Sequence, residues 1–258
     1  MIIDGNAYLG HFAFRQLRHN TGEGLLRLMD RAGIGRAVLS SASAITYRNP
    51  QPGNEEVAAR VKAAGTRLIP FAVLNPAYAG WRDDREICRE KFGMKGVRLY
   101  TAWHRYRLSA PERRELVNAA AEREMVISIP VRAEDRRQQS WLVEVPDLGH
   151  DDIAALVRAC PNARFVTGNG NGFTRSVPGR PNSGLPANYA IEITWLTAEL
   201  GNETGALLDS LGADRLLFGS GMPFHYAGPA LAKIEILDAP ETVKAKICAE
   251  NAVRWLRL

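Results

Sequence analysis

Short apolar segments alternate with longer amphipathic ones along the whole chain, and this alternation limits the possible folds more than any other feature. The short segments are rich in Val, Ile and Leu, as expected for strands buried on both faces of a parallel sheet. Eight such segments, separated by helical patterns, predict a closed (β/α)8 barrel. The predicted strands cover residues 1–5, 36–41, 67–74, 96–101, 125–131, 164–167, 189–194 and 215–219.

Helical patterns occupy much of the sequence between these strands. Asn54 is a good N-terminal cap, and Pro111 suits a first helical turn. The chain has 258 residues, a usual length for one barrel, and it shows no linker or internal repeat. We therefore predict a single α/β domain, a TIM-type barrel over residues 1–258. The predicted helices cover residues 24–32, 54–64, 110–124, 151–160, 204–211 and 242–256.

The charge of the chain argues against several classes of partner. The formal net charge is +5, and the basic residues are spread along the chain rather than gathered in one stripe. This pattern disfavours nucleic acid binding and suits a small anionic ligand. No apolar run reaches the roughly 18 residues of a membrane span. The three cysteines lie far apart, as free thiols in a reducing cytoplasm do. We expect a cytoplasmic protein, with a homo-oligomer left open.

Several segments match a known pattern, and they do so in order along the chain. Residues 1–10 (M-I-I-D-G-N-A-Y-L-G), 93–100 (G-M-K-G-V-R-L-Y), 161–172 (P-N-A-R-F-V-T-G-N-G-N-G) and 212–224 (G-A-D-R-L-L-F-G-S-G-M-P-F) carry it. They resemble the strand-one, strand-four, strand-six and strand-eight segments of the amidohydrolase superfamily, in particular its amidohydrolase-related group of metal-dependent hydrolases. Residues 247–256 resemble its closing helix. The resemblance implies a barrel with its active site at the C-terminal ends of the strands.

The same resemblance implies a metal site whose ligands this chain has replaced. In the family, a divalent metal, often zinc, is held by two His of strand one, a His ending strand five, a His ending strand six and the Asp of strand eight. Zinc requires thiolate, imidazole or carboxylate donors. We therefore predict a degenerate member of the family that binds no metal and no other cofactor. The matching positions here are Asn6, Tyr8, Pro130, Asn169 and Gly221.

Strand alternation predicts which side chains replace the metal centre. On strand one, Ile2, Asp4, Asn6 and Tyr8 are predicted to point inward. Guanidinium groups bind carboxylate or phosphate oxygens bidentately, which predicts a small anionic ligand. In the alternative, Arg98 pairs with Glu192 and fills the hole, and Arg132 is a solvated loop residue. The predicted ligand-binding residues are Asn6, Tyr8, Arg98, Tyr100, Arg132 and Asn169, with Glu192 beside them.

Three histidines lie in loops on the predicted active-site side of the barrel. His11 follows the first strand, His104 the fourth and His225 the eighth. An imidazole titrates near neutral pH, so His225 and His104, with Glu192, are the candidate catalytic residues. In the alternative, each of these histidines is a surface loop residue without a function. The glycines of 168–172 predict a strand-to-loop turn with positive φ rather than a phosphate loop.

Three functions remain compatible with the sequence. The first is a metal-independent hydrolase, lactonase or decarboxylase acting on a small carboxylate. The second is an inactive homologue that binds a small ligand in the same pocket. The third is a structural or oligomeric partner without a ligand. A pocket plugged by side chains would favour the third, and a histidine near a carboxylate would favour the first.

Overall fold

A computed structural model describes residues 1–198 and 201–258 of the chain. Eight strands form one parallel sheet in the order β1-β2-β3-β4-β5-β6-β7-β8. This confirms the predicted α/β barrel and all eight predicted strands, with shifts at their ends. The strands are β1 (Ile2–Leu9), β2 (Ile34–Ser41), β3 (Leu68–Val73), β4 (Gly96–Arg98), β5 (Val126–Pro130), β6 (Phe165–Gly168), β7 (Tyr189–Glu192) and β8 (Leu216–Leu217).

The ends of the sheet meet between β1 and the segment after β8. Tyr8 N donates to Met222 O at 2.7 Å, and Gly221 N donates to Asn6 O at 2.7 Å. The buried Asp4 carboxylate accepts hydrogen bonds from the backbone N–H of Ser220, at 2.9 Å, and from its hydroxyl. These contacts close the barrel where β1 carries the candidate site residues.

An irregularity in β1 changes which of its side chains face the barrel interior. The pairing of β1 with β2 shifts register between Asp4 and Ala7. As a result Ile3, not Ile2, packs inside the barrel with Val126 and Ala190, while Ile2 packs against the helix-side core. The predicted inward positions of Ile2 and Asp4 are therefore wrong, because a bulge interrupts strict alternation.

The helices surround the sheet and confirm each predicted helix, with two additions. Neither the helix Trp81–Glu86, which continues into a π-helical turn at Ile87–Lys91, nor the helix Gly228–Glu235 was predicted. Every helix among the described residues is too short or too polar to cross a membrane. The helices are α1 (Gly22–Arg31), α2 (Gln51–Ala63), α3 (Trp81–Glu86), α4 (Pro111–Glu122), α5 (His150–Ala159), α6 (Glu203–Leu211), α7 (Gly228–Glu235), α8 (Glu241–Ala245) and α9 (Asn251–Leu256).

Asn54 does not cap a helix as predicted. It lies one turn inside α2 and is fully buried. Its side chain accepts from Val73 N at 2.8 Å and donates to Val73 O at 2.9 Å, so it satisfies both backbone groups at the end of β3. A sequence pattern could not distinguish this tertiary role from a cap, because both use the same short amide side chain.

Three hydrophobic clusters position the site. The largest fills the space between sheet and helices, and a second fills the lower barrel, where Trp255 and Leu256 of α9 cover the bottom. The third lies at the C-terminal mouth and contains Tyr8, Tyr100 and Phe224. The polar residues of the candidate site lie between the second and third clusters.

Candidate functional site

The Glu192 carboxylate, at the end of β7, is the hub of the barrel centre. It is buried, with 4% of the residue exposed. One oxygen accepts from the backbone N–H of Asn169 at 2.5 Å and from Asn6 Nδ2 at 3.2 Å. The other accepts from Thr194 N at 2.9 Å and from the Thr194 hydroxyl. Burial raises the pKa of this carboxyl, while these hydrogen bonds favour its charged form.

Two glycines on the neighbouring strands make room for this side chain. A methyl group at Gly168 of β6 would lie 2.1 Å from the Glu192 side chain. A methyl group at Gly219, just past β8, would lie 2.1 Å from a Glu192 oxygen. Neither glycine has a positive φ, so close approach explains both positions.

Two asparagine amides and a phenol complete the polar centre. Asn6 Nδ2 donates to Asn169 Oδ1 at 2.9 Å. Asn169 Nδ2 donates to the Tyr8 hydroxyl and to Arg132 O, both at 2.9 Å. Asn169 has a φ of 52°, and Gly172 a φ of 80°, which confirms the turn predicted for the glycine-rich segment. The structure therefore joins Asn6, Tyr8, Asn169 and Glu192 in one network.

A buried lysine lies close behind this network. Lys233 of α7 donates to the carbonyls of Ile193, at 2.9 Å, and Thr194, at 2.6 Å. Burial lowers the pKa of Lys233 to about 8, and its charge favours the ionised form of Glu192. Sequence reasoning had no signal for Lys233, because the helix that carries it, α7, was not predicted.

Arg98 lies at the centre, but its guanidinium is not free to bind a ligand carboxylate through two hydrogen bonds. It is 1% exposed, and its guanidinium stacks over the Tyr8 ring at 5.0 Å. Nη1 donates to Ala7 O and to the Ser40 hydroxyl, each at 3.1 Å. Within the described part of the chain Arg98 forms no ion pair with Glu192, so the alternative in which these two pair is wrong.

Aromatic side chains cover the centre on the mouth side. The Phe224 ring packs edge-on against Tyr8 at 4.9 Å and against Phe12 at 5.0 Å, and Phe12 contacts Trp103 at 5.6 Å. Tyr8 and Tyr100 are 0% and 2% exposed. The polar centre is thus a closed floor, and a ligand would meet the layer above it first.

Arg132 belongs to that upper layer, just past β5. Its Nη2 donates to Asp147 at 2.6 Å, and Arg136 Nε donates to the other Asp147 oxygen at 3.2 Å. The Arg132 guanidinium also lies over the Trp195 ring at 5.4 Å. Two arginines therefore already hold one carboxylate here, which belongs to the loop between β5 and α5.

The candidate histidines occupy different environments. His225 packs edge-on against Trp195 at 4.6 Å, and burial lowers its pKa to about 4, opposed by the charge of Asp135. His104 Nε2 lies 3.0 Å from Ala44 O, and burial also lowers its pKa to about 4. His104 is buried and His225 is partly buried, so neither is a fully solvated surface residue. His225 lies at the mouth beside Arg132's neighbour Trp195, whereas His104 is held in the loop after β4.

Sequence reasoning missed two residues of the mouth, Glu134 and Arg15. Glu134 is 4% exposed, and neither carboxyl oxygen has a hydrogen-bond partner among the described residues. Arg15 Nε lies 4.0 Å from it. Burial raises the pKa of Glu134 to about 7. Both residues lie in loops, where no periodicity marks a buried side chain. Glu134 lines a cleft of about 20 Å³ together with Tyr100, Trp103, Arg132, Arg136 and Asp147.

The fold and this mouth define a (β/α)8 barrel whose candidate site lies at the C-terminal ends of its strands. A sequence model described as Amidohydrolase matches residues 14–258. The chain belongs to this amidohydrolase family. The match begins after β1, the strand that carries Asn6 and Tyr8. No curated protein matches the chain.

Solved structures share the fold at low sequence identity. One described as amidohydrolase II has a TM-score of 0.75 and 15% identity, with 100% of each chain covered. A 2,6-dihydroxybenzoate decarboxylase from Rhizobium has a TM-score of 0.71 and 17% identity, covering 98% of this chain and 99% of that one. A 5-carboxyvanillate decarboxylase from Sphingomonas paucimobilis has a TM-score of 0.70 and 17% identity, covering 90% of this chain and 82% of that one. At these identities the likeness is one of fold.

Proposed function

We propose that the chain is a metal-independent enzyme of the hydrolase, lactonase or decarboxylase type, acting on a small carboxylate at the barrel mouth. One observation carries the proposal. Arg15 Nε, Arg132 Nε, Trp195 Nε1 and His225 Nε2 are buried at the mouth without a hydrogen-bond partner in residues 1–198 and 201–258. Buried polar atoms are normally satisfied, and a catalytic or binding role is one explanation for those that are not.

The donor set supports the absence of a metal from the mechanism. Asn6 turns its amide N–H groups toward Glu192 and Asn169 Oδ1, and Asn169 turns its own toward the Tyr8 hydroxyl. N–H groups repel a cation. A side chain at Gly221, which has a φ of 73°, would meet the His225 ring at 2.8 Å. No group of three or more His, Cys, Asp or Glu in the described part of the chain could hold a metal ion. These residues do not fit the family's metal.

The substrate class is supported by the charge of the mouth. Arg132 and Arg136 hold the carboxylate of Asp147, so the same guanidinium groups can hold that of a ligand. One similar structure is a 2,6-dihydroxybenzoate decarboxylase with 2,6-dihydroxybenzoate bound. A cleft of about 20 Å³ holds one water molecule. Substrate entry therefore requires the loop between β5 and α5 to move and Asp147 to release Arg132.

We assign roles by position. Arg132 binds the substrate carboxylate, and His225, neutral at pH 7 because its pKa is about 4, accepts a hydrogen bond from the substrate. Glu192, Asn6, Asn169 and Tyr8 form the polar floor beneath the ligand, with Arg98 and Tyr100 supporting it. His104 stays a weaker candidate, since its Nε2 already meets Ala44 O. A cytoplasmic location and the lack of nucleic acid or membrane partners stay predictions.

The proposal is tested by turnover of a panel of small aromatic and aliphatic carboxylates, lactones and amides, in the presence of a chelator. Replacing Arg132 by Met should raise KM about 10- to 100-fold, since a charge-assisted hydrogen bond contributes about 1.5–3 kcal/mol. The matched control is Arg158→Met, an exposed arginine of α5. Turnover that depends on added metal, or an Arg132→Met enzyme with wild-type KM, would contradict the proposal.

A second function is favoured by the closed floor. Asn6, Tyr8, Asn169 and Glu192 bond to one another and are each no more than 4% exposed, as in a barrel centre filled for stability. In that case the chain is an inactive homologue that binds a small ligand or another subunit. An inactive homologue would turn over no member of the panel. If the chain is a purely structural partner, no carboxylate should raise its thermal unfolding temperature either.

A further inference from the structure

We propose that Glu134 is the residue that transfers a proton to or from the substrate at the barrel mouth. The inference rests on the enzymatic function proposed above and adds to it the identity of the acid–base group. No residue among the family's metal positions is involved.

The position of Glu134 carries the inference. It follows β5 by four residues and lines the cleft at the mouth, where its carboxyl group is almost entirely shielded from solvent. Neither oxygen accepts a hydrogen bond from any residue that the structure describes. A structural carboxylate in such a place normally has donors, because leaving a buried oxygen unsatisfied is destabilising. An acid–base residue keeps its oxygens free for the substrate.

The charges around Glu134 leave it available. Arg15, in the segment after β1, approaches to 4.0 Å, but its Nη2 donates to Phe224 O at 3.3 Å. Asp135 is occupied by Arg137, whose guanidinium donates to both of its oxygens. Across the cleft, Arg132 and Arg136 bond to Asp147. Glu134 is thus the carboxyl group in this layer that is not committed to an ion pair at hydrogen-bond distance.

Its protonation behaviour agrees with this position. Burial raises the pKa of Glu134 to about 7, and the nearby Asp135 charge raises it while Arg15 lowers it. His225 has a pKa of about 4 and is therefore a neutral imidazole at neutral pH, too weak a base to hold a transferred proton. A group whose pKa lies near the working pH is the most effective proton donor and acceptor.

The step balances for each reaction type. In hydrolysis, Glu134 takes a proton from water as the water oxygen bonds to the carbonyl carbon, and returns it to the leaving oxygen or nitrogen as that bond breaks. In decarboxylation, protonated Glu134 gives its proton to the carbon. The electron pair of the broken C–C bond stays on that carbon, carbon dioxide leaves, and solvent reprotonates Glu134.

The test uses pH–rate profiles of the full-length enzyme with the best substrate from the panel. Glu134→Gln should lower kcat by about 10²- to 10⁴-fold with little change in KM, the usual contribution of general acid–base catalysis. The wild-type profile should show a limb at about pH 7, which the variant lacks. The control is Glu144→Gln, an exposed residue of the same loop.

A second variant separates chemistry from structure. Glu134→Ala opens space at the cleft, and formate should restore part of its kcat, which a merely structural role would not allow. Suppose that the wild type turns over substrate, that Glu134→Gln has the same rate and pH profile, and that formate does not rescue Glu134→Ala. That result would overturn the inference and leave the proposed function standing. Absence of wild-type turnover on the whole panel would overturn both.

Discussion

Gly168, Glu192 and Gly219 fit together at the barrel centre with no space to spare. The Glu192 side chain fills the volume that a methyl group would take on either neighbouring glycine, at 2.1 Å in each case. The single carboxylate can therefore accept four hydrogen bonds in a site enclosed by strands. This arrangement explains one glycine in β6 and another just past β8.

Gly168→Ala should lower the free energy of unfolding by about 1–3 kcal/mol, the usual cost of overpacking a core. Combined with Glu192→Ala, the same substitution should cost less than the two separate effects added together, because the clash is removed. Chemical denaturation of the single and double variants measures this. Gly228→Ala, with nothing within 4 Å, is the control. Strict additivity at 168 and 192 would contradict the packing described.

Among elements, the strands were the most predictable. Runs of Val, Ile and Leu mark strands that are buried on both faces, and inward alternation correctly brings Asn6, Tyr8 and Asn169 together with Glu192. The bulge in β1 was not predicted, because a register shift leaves no trace in composition. The charged helix α3 was not predicted either, since Trp81–Glu86 carries almost no apolar stripe.

The loops that form the mouth could not be predicted. Residues 132–137 (R-A-E-D-R-R) form a basic run interrupted by acids, a pattern that gives no indication that Glu134 is buried. Which of its charges pair depends on distant residues, such as Asp147 for Arg132 and Arg15 for Glu134. The candidate site is thus predictable where strands supply it and not where loops do.

The loop between β5 and α5 should compete with the substrate. Asp147 occupies Arg132 and Arg136, so Asp147→Asn removes the internal anion and should tighten the binding of small carboxylates about tenfold or more, in line with one lost charge-assisted contact. Isothermal titration with benzoate or a better-bound panel member measures it, with Glu144→Gln as control. An unchanged or weaker affinity in Asp147→Asn would show that Arg132 does not bind the ligand carboxylate.

For the whole molecule, the fold and the chemistry depend on different parts of the sequence. The barrel and the amidohydrolase family follow from end-to-end sequence patterns, but function depends on the side chains at the mouth. The centre of the barrel holds two amides, a phenol and a carboxylate, which bond to one another. This polar floor lies below a layer of arginine, histidine and glutamate side chains at the mouth.

The metal content of the purified protein is the most direct test of this account. Elemental analysis after growth with added zinc and manganese should find far less than one equivalent, and turnover and the thermal unfolding temperature should survive exhaustive chelation. The account predicts the same for Asn6→Ala and Asn169→Ala. One equivalent of tightly bound zinc or manganese in the wild type, lost in these variants together with activity, would contradict it.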